Sequence, residues 1–148
     1  LYLGRVPDEA RARMPGLGEQ GAAGPGFDLL LDRIGHFPRS GIIWAGTTSV
    51  PDALVTLHQR LVGAARELGL DPPARDFLPH VTLLRAAHAG PDWQPERVLC
   101  WPVDGFRLVA SRLSSTGPDY TTLATWSLGP TPGESVGGGA TDDAPDEA

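Results

Sequence analysis

The chain has 148 residues, which is enough for one domain with a sizeable core. Its single cysteine excludes a disulfide framework and a four-cysteine zinc site, and no apolar run approaches the roughly 20 residues that span a bilayer. The net charge is −6, but the last 20 residues contribute −5 of it, and the nearly neutral remainder does not support a broad basic surface for long duplex nucleic acid.

Much of that negative charge belongs to the C-terminal segment, residues 129–148. This segment holds five acidic residues, no basic residue and one aliphatic residue larger than alanine, Val136. Such a composition cannot bury enough apolar area to offset the entropy of ordering the chain. We therefore predict a disordered acidic tail over residues 129–148 and a single, nearly neutral folded domain over residues 1–128.

The first elements of that domain are a strand end and a helix. Residues 1–4 are apolar and predict the tail of a strand. Residues 7–10 predict a helix start, because proline suits the first turn and acidic side chains suit the helix dipole. Pro15, Gly16 and Gly18 come soon afterwards, so the sequence predicts that this helix is short or broken.

The middle of the domain predicts two strands and the clearest helix. Residues 27–34 and 41–47 predict strands, joined by a connection over residues 35–40. Residues 51–68 predict a helix, since Pro51 suits its first turn and Gly69 suits its end. Its predicted buried stripe has helical spacing and comprises Leu54, Leu57, Leu61, Ala64 and Leu68.

The last third predicts three more strands. A short strand enters through Pro79 and begins at His80, and a loop over residues 89–102 comes after it. Residues 104–114 alternate in polarity, residues 116–119 carry a turn signal, and residues 120–128 predict a final strand. The segment 104–128 is therefore predicted to be a hairpin.

The strand that begins at His80 carries the strongest chemical signal. Side chains alternate along a strand, so His80, Thr82 and Leu84 are predicted on one face and Val81, Leu83 and Arg85 on the other. An imidazole next to a hydroxyl can transfer a proton and hold an anionic oxygen at the same place. Phosphoryl chemistry without a metal needs both functions.

The surrounding residues carry a family resemblance. The run from Arg75 to Arg85, with Phe77 and Pro79 before His80, resembles the second signature of the two-histidine phosphoesterases. It is most similar to that of the bacterial RNA 2′,3′-cyclic phosphodiesterase family, also called 2′-5′ RNA ligase. The segments 35–38, 43–46 and 106–123 resemble the family's middle strand pair and C-terminal hairpin. Residues 1–7 resemble the segment immediately after the family's first His-x-Thr.

The resemblance implies a fold and a second motif. The implied fold is α+β, with two pseudo-symmetric lobes of mainly antiparallel sheet backed by helices and a cleft between them. Members use two His-x-Thr/Ser motifs, one from each lobe, and this sequence shows one. We expect the other just upstream of Leu1, which makes the chain an N-terminally truncated form of the domain.

The resemblance also implies an activity: hydrolysis of a terminal ribose 2′,3′-cyclic phosphate to a 2′-phosphate, with 2′-5′ ligation as the reverse reaction in vitro. His80 would be the general acid or the general base, an alternative that stays open. Thr82 would bind a phosphate oxygen. Arg85 would bind the phosphate too, provided that a bulge or the strand end turns it toward His80.

The expected partners suit that activity. They are RNA 3′ ends or small cyclic nucleotides, without a metal, a cofactor or a membrane. The protein is expected to be a cytoplasmic monomer. Phe37 or Trp93 could stack on a nucleobase, whereas Trp44, Trp101 and Trp126 are better candidates for the core or a lid.

Non-catalytic roles are expected for the other histidines, and two other functions are possible for the chain as a whole. His36 is expected to be a surface or packing residue, His58 to be solvated or half-buried, and His88 to lie in a loop with little claim to substrate contact. A non-catalytic binder of nucleotides or RNA ends is one alternative function. A degraded pseudo-enzyme, signalled by the interrupted first helix, is another.

Overall fold

The computed structural model describes residues 1–73, 77–88, 90, 94–115 and 117–131. In this part of the chain the strands form three antiparallel sheets, with the orders β1–β5, β2–β3–β4 and β6–β7. The mixture of helices with antiparallel sheet confirms the predicted α+β class. The elements, in chain order, are α1 (Asp8–Arg11), α2 (Met14–Ala22), β1 (Phe27–Leu31), β2 (Arg33–Phe37), β3 (Ile42–Gly46), α3 (Asp52–Glu67), β4 (His80–Leu84), β5 (Leu99–Val103), β6 (Gly105–Ser114) and β7 (Gly117–Ser127).

Helix α3 confirms the prediction for residues 51–68 almost to the residue. It starts after Pro51 and ends where Gly69 adopts a φ of +74°, a conformation that glycine takes without steric cost. The amide N–H of Leu70 donates to the carbonyl of Ala65 at 3.0 Å, which closes the last turn. Leu57 and Ala64 of the predicted stripe are buried.

The N-terminal helix is interrupted, but at a different place from the one predicted. The break falls at residues 12–13, and Pro15, Gly16 and Gly18 all lie inside α2. Pro15 is tolerated because it occupies the first turn, where backbone N–H groups have no helical acceptor. A Cβ at Gly18 would lie 2.1 Å from the Trp126 ring, so this glycine lets the helix approach β7. Gly18 therefore has a packing role, whereas a Cβ at Gly16 would meet nothing within 4 Å.

The predicted strand over residues 27–34 is two strands. Asp32 separates them: its amide N–H donates to the Gly46 carbonyl at 3.0 Å, and its carboxylate accepts from the Thr48 N–H at 2.7 Å and from the Thr48 hydroxyl. On either side of Asp32 the chain pairs with different strands: β1 pairs with β5, and β2 pairs with β3. The predicted connection over residues 35–40 was wrong for residues 35–37, which belong to β2.

The C-terminal hairpin is confirmed as β6 and β7, with Ser114 paired to Gly117, so β7 starts earlier than predicted. The predicted loop 89–102 was wrong at its end, because Leu99–Val103 forms β5 and pairs antiparallel with β1. That pairing joins residues about 70 positions apart, which local patterning does not reveal. Residues 1–4, predicted as a strand end, are not in a strand.

Two clusters of buried side chains form the core. One lies among the three helices and includes Ala10, Leu17 and Ala65, and the other joins α3 to the inner sheet faces through residues such as Leu29 and Ala45. The first residues of the predicted tail belong to the fold, since the Gly129 N–H donates to the Gly24 carbonyl at 2.9 Å. Residues 132–148 lie outside the described residues, so the acidic tail stays a prediction.

Candidate active site

The candidate site lies on one face of the sheet β2–β3–β4. Val81 pairs with Ala45 and packs with it in the core, so that face of β4 is the inner one. His80 and Thr82 occupy the alternate positions and therefore lie on the outer face, as predicted. His80 is exposed and Thr82 is half-buried. We call this surface the His80 face.

The imidazole of His80 is held by one of its two nitrogens. Its Nδ1 lies 2.9 Å from the carbonyl oxygen of Leu78. A carbonyl can only accept, so Nδ1 carries a proton and donates it, and Nε2 is the nitrogen that remains for chemistry. A neutral His80 therefore presents a basic Nε2, and a protonated one presents an acidic Nε2–H.

Two aromatic rings support the imidazole. The Phe37 ring lies edge-on to His80 with the centroids 5.2 Å apart, and the Trp44 ring lies 6.3 Å away. Phe37 and Trp44 also contact each other at 5.3 Å. These contacts restrict the orientation of His80 on a strand that has a partner on one side only in the described part of the chain.

Trp44 lies flat on the sheet because two neighbouring positions are glycine. A Cβ at Gly35 would come within 2.2 Å of the Trp44 ring, and one at Gly46 within 2.8 Å. Trp44 is only 4% exposed, although it belongs to the outer face. The tryptophan therefore forms the floor of the site. Sequence patterning made Trp44 a core or lid candidate and missed its place beside His80.

The pairing of β4 is irregular just after Thr82. Trp44 pairs with Thr82, but the adjacent Ile43 pairs with Leu84, so Leu83 is an extra residue on β4. Because paired residues share a face, Leu84 lies opposite to Thr82, and the prediction that it shares the face of His80 was wrong. After Leu83, the alternation of side chains between the two faces of β4 is therefore shifted by one residue.

Arg85 comes directly after this irregularity. The strand ends at Leu84, Arg85 is exposed, and the next residue, Ala86, has a φ of +57°. Because Arg85 lies beyond the last residue of the strand, the alternation that placed it opposite His80 no longer applies to it. The predicted role of Arg85 requires an irregularity of this kind, a bulge or a strand end, between Thr82 and Arg85.

Arg33 is a cation on the His80 face that sequence patterning missed. Its guanidinium carbon lies 5.7 Å from the centroid of the Trp44 ring, a cation–π distance. The prediction of one strand over residues 27–34 concealed the alternation of Arg33, Gly35 and Phe37 along β2. The polar–glycine–aromatic pattern was the available signal.

The remaining histidines lie elsewhere. His36 is half-buried on the inner-face side, and its Nε2 has no hydrogen-bond partner among the described residues. His88 is exposed in the segment after β4. His58 is half-buried, as predicted, and stacks on Phe77 with the centroids 3.9 Å apart. Arg75 and Trp93, named above as a motif residue and a stacking candidate, lie outside the described residues.

The His58–Phe77 stack lines an apolar cavity of about 240 Å³. Leu57 and Leu61 of α3, Phe106 and Trp126 of the hairpin, and residues from the N-terminal segment complete the wall. Loss of hydration lowers the pKa of His58 below its ordinary value of 6.5. Neither His80 nor Thr82 lines this cavity, so the apolar space and the candidate chemistry are separate.

Other classes of site find little support in the described residues. Within these ranges, no group of three or more His, Cys, Asp or Glu side chains comes together to hold a metal ion. Cys100 is exposed, and partial desolvation together with the neighbouring Asp28 carboxylate raises its pKa, which disfavours the nucleophilic thiolate. Among the described helices, none is long and apolar enough to cross a membrane.

Comparison with known proteins places the chain in a family. The family model of the 2′-5′ RNA ligase superfamily matches residues 1–111. The chain is similar to the RNA 2′,3′-cyclic phosphodiesterase of Escherichia coli K12, with 35% identity over 70% of this chain and 60% of that protein. It is also similar to the protein of the same name from Thermus thermophilus, with 36% identity over 86% of this chain and 69% of that protein. The chain thus spans 60–69% of the length of these relatives.

Solved structures of proteins from the same two organisms have a fold similar to that of this chain. E. coli LigT complexed with 3′-AMP superimposes with a TM-score of 0.76 at 33% identity, over 86% of this chain and 74% of that one. TT0787 of Thermus thermophilus superimposes with a TM-score of 0.70 at 31% identity, over 88% of this chain and 76% of that one. The predicted family resemblance is therefore confirmed, and the chain belongs to the 2′-5′ RNA ligase superfamily.

Proposed function

We propose that this protein is an RNA 2′,3′-cyclic phosphodiesterase, a hydrolase that opens a terminal 2′,3′-cyclic phosphate to a 2′-phosphate. Support comes from its membership of the superfamily, whose curated members of similar sequence carry that name. The observation that carries the proposal is the exposed His80, whose Nδ1 is hydrogen-bonded to the Leu78 carbonyl and whose Nε2 is not, with Thr82 on the same face of the strand.

The reaction needs one proton removed and one supplied. The oxygen of water bonds to phosphorus, the bond from phosphorus to the ribose 3′ oxygen breaks, and that oxygen leaves as a hydroxyl. The Nε2 of His80 either takes the proton from water or gives one to the 3′ oxygen, a contribution of about 10²–10⁴ in rate. This residue therefore exchanges a proton directly with the reacting atoms in either role.

The phosphate oxygens need donors as their charge increases. We propose that the Thr82 hydroxyl donates to a non-bridging oxygen, because it lies two positions from His80 on the same face. We propose the same phosphate for Arg85, whose guanidinium can make two parallel charge-assisted hydrogen bonds. The phase shift at Leu83 supports this placement.

The substrate and the working conditions complete the proposal. The ligands are RNA 3′ ends or small cyclic nucleotides, in keeping with the solved complexes of E. coli LigT with 3′-AMP and with ATP. We propose that His80 supplies one of the two proton transfers and that Thr82 and Arg85 stabilise the charge, so that no metal ion is needed for these roles. We also propose that the enzyme acts as a cytoplasmic monomer.

The test is hydrolysis of an oligonucleotide that ends in a 2′,3′-cyclic phosphate, with the protein produced together with any residues encoded upstream of Leu1. We expect the change His80→Ala to lower kcat by about 10²–10⁴-fold, because it removes one proton-transfer group. The matched control is His88→Ala, which removes an exposed imidazole after the same strand and should leave kcat unchanged. A chelator in the same assay should also have no effect.

Two results would contradict the proposal in different ways. Hydrolysis at the original rate in the His80→Ala protein would remove His80 from the mechanism. Tight binding of the cyclic phosphate by the unmodified protein, with no turnover, would favour the non-catalytic binder of RNA ends.

A further inference from the structure

Arg33, Gly46 and His80 form one row across the sheet. Arg33 on β2 pairs with Gly46 on β3, and Gly46 pairs with His80 on β4. Paired residues share a face, so the two polar side chains point to the same side with a glycine between them. Neighbouring strands lie roughly 4.8 Å apart, which places the Cα atoms of Arg33 and His80 about 10 Å apart.

The Trp44 ring lies against Gly46, between the two polar side chains. The guanidinium carbon of Arg33 is 5.7 Å from the centroid of this ring, and the imidazole centroid is 6.3 Å from it. The cation and the proton-transfer group therefore contact the same indole. A guanidinium is planar and always charged, and its geometry matches the oxygens of a phosphate.

We propose that Arg33 binds a second phosphate of the substrate, the one on the 5′ oxygen of the terminal nucleotide. This inference rests on the proposed function. A terminal nucleotide with a 2′,3′-cyclic phosphate presents two anions, the cyclic phosphate and the phosphodiester on its 5′ oxygen. In the proposed function, Thr82 and Arg85 bind the cyclic phosphate beside His80. The phosphate on the 5′ oxygen would then bind to Arg33, on the other side of Gly46.

The consequence is a preference between substrate classes. An RNA end, or any nucleotide that carries a 5′-phosphate, gains the contact with Arg33, whereas a nucleoside 2′,3′-cyclic phosphate without one does not. A charge-assisted hydrogen bond at a half-exposed position supports a preference of about tenfold. Arg33 is therefore proposed as a residue that determines specificity for polynucleotide ends.

The experiment compares adenosine 2′,3′-cyclic phosphate with and without a 5′-phosphate. We expect the 5′-phosphate to raise kcat/KM about tenfold through KM, and we expect Arg33→Gln to abolish this ratio while changing kcat/KM for the unphosphorylated substrate less than about twofold. The matched control is Arg39→Gln, which removes an exposed arginine beyond the other end of β2 and should keep the ratio. Arg33→Lys, which keeps the charge, should keep part of it.

A binding measurement separates this inference from the proposed activity. Calorimetry with adenosine 2′-monophosphate and adenosine 2′,5′-bisphosphate should give the same preference of about tenfold in the unmodified protein and none in the Arg33→Gln variant. If hydrolysis is absent for every substrate, the proposed function fails while this binding ratio still decides the role of Arg33. Absence of the preference in the unmodified protein, or an equal loss for both ligands in a folded variant, would overturn the inference.

Discussion

Thr82 is half-buried, whereas His80 two positions away is exposed, and this difference suits their proposed roles. A hydroxyl that is partly shielded from water makes a stronger hydrogen bond to a charged oxygen than a fully solvated one. An imidazole that exchanges protons with water must in turn remain accessible. The two side chains share a face because the bulge comes after Thr82 and not before it.

We expect Thr82→Val to lower kcat by about 10²-fold, because the isosteric side chain fills the same space without a donor for the charge that develops on the phosphate. Thr82→Ser keeps the hydroxyl and should retain most of the activity. Steady-state kinetics on a cyclic phosphate substrate measure both. Equal activity of the valine and serine proteins would show that this hydroxyl takes no part.

At the scale of elements, sequence patterning predicted those whose evidence is local. The apolar stripe of α3, the proline before β4 and the alternation of the C-terminal hairpin each lie within one segment, and each is confirmed. β5 was missed because its evidence is its pairing with β1, far away in the sequence. Gly18 of α2 was misinterpreted for the same reason, since the Trp126 ring that requires it belongs to β7.

Helix α2 offers a matched pair of substitutions. Gly16→Ala should stabilise the protein by about 0.5–1 kcal/mol, because a Cβ there meets nothing within 4 Å and alanine favours a helix. Gly18→Ala should destabilise it by about 1–3 kcal/mol, since the methyl group would displace the Trp126 ring. Urea unfolding measures both free energies. A stabilised Gly18→Ala protein would contradict the packing described between α2 and β7.

Taken as a whole, the molecule uses one sheet for two purposes. The inner face of β2–β3–β4 joins the core through Ile34, Ala45 and Val81, and the outer face carries the candidate site. His80 and Thr82 could be paired from the sequence, because a strand's alternation is readable within the strand, whereas Arg85 was named from the family resemblance and against that alternation. Arg33 and the floor formed by Trp44 required the register of three strands, which the sequence does not state.

The stability of the whole molecule should depend on pH through His58. Its pKa is lowered in the folded protein by loss of hydration, so the unfolded chain binds a proton more readily. Stability should therefore be greatest above the ordinary value of 6.5 and should decrease as the pH falls through 6.5 toward the folded value. Urea unfolding between about pH 7.5 and pH 5 measures this dependence.

The matched variant is His58→Gln, which cannot titrate in this range. The slope of stability against pH between about 7.5 and 5 should be smaller in this variant than in the unmodified protein. An identical slope in the two proteins would assign the dependence to other groups.

Because Nδ1 of His80 donates a hydrogen bond to the Leu78 carbonyl, His80 can transfer protons through Nε2 alone. An imidazole with both nitrogens open can receive a proton on one side and release another on the opposite side. Here the same Nε2 must serve for arrival and departure, so His80 cannot deprotonate water and protonate the leaving oxygen in one concerted event. Ring opening at this surface therefore needs either a second ionisable partner across the phosphate or two successive steps, in which Nε2 first accepts a proton from water and then donates that proton to the leaving oxygen.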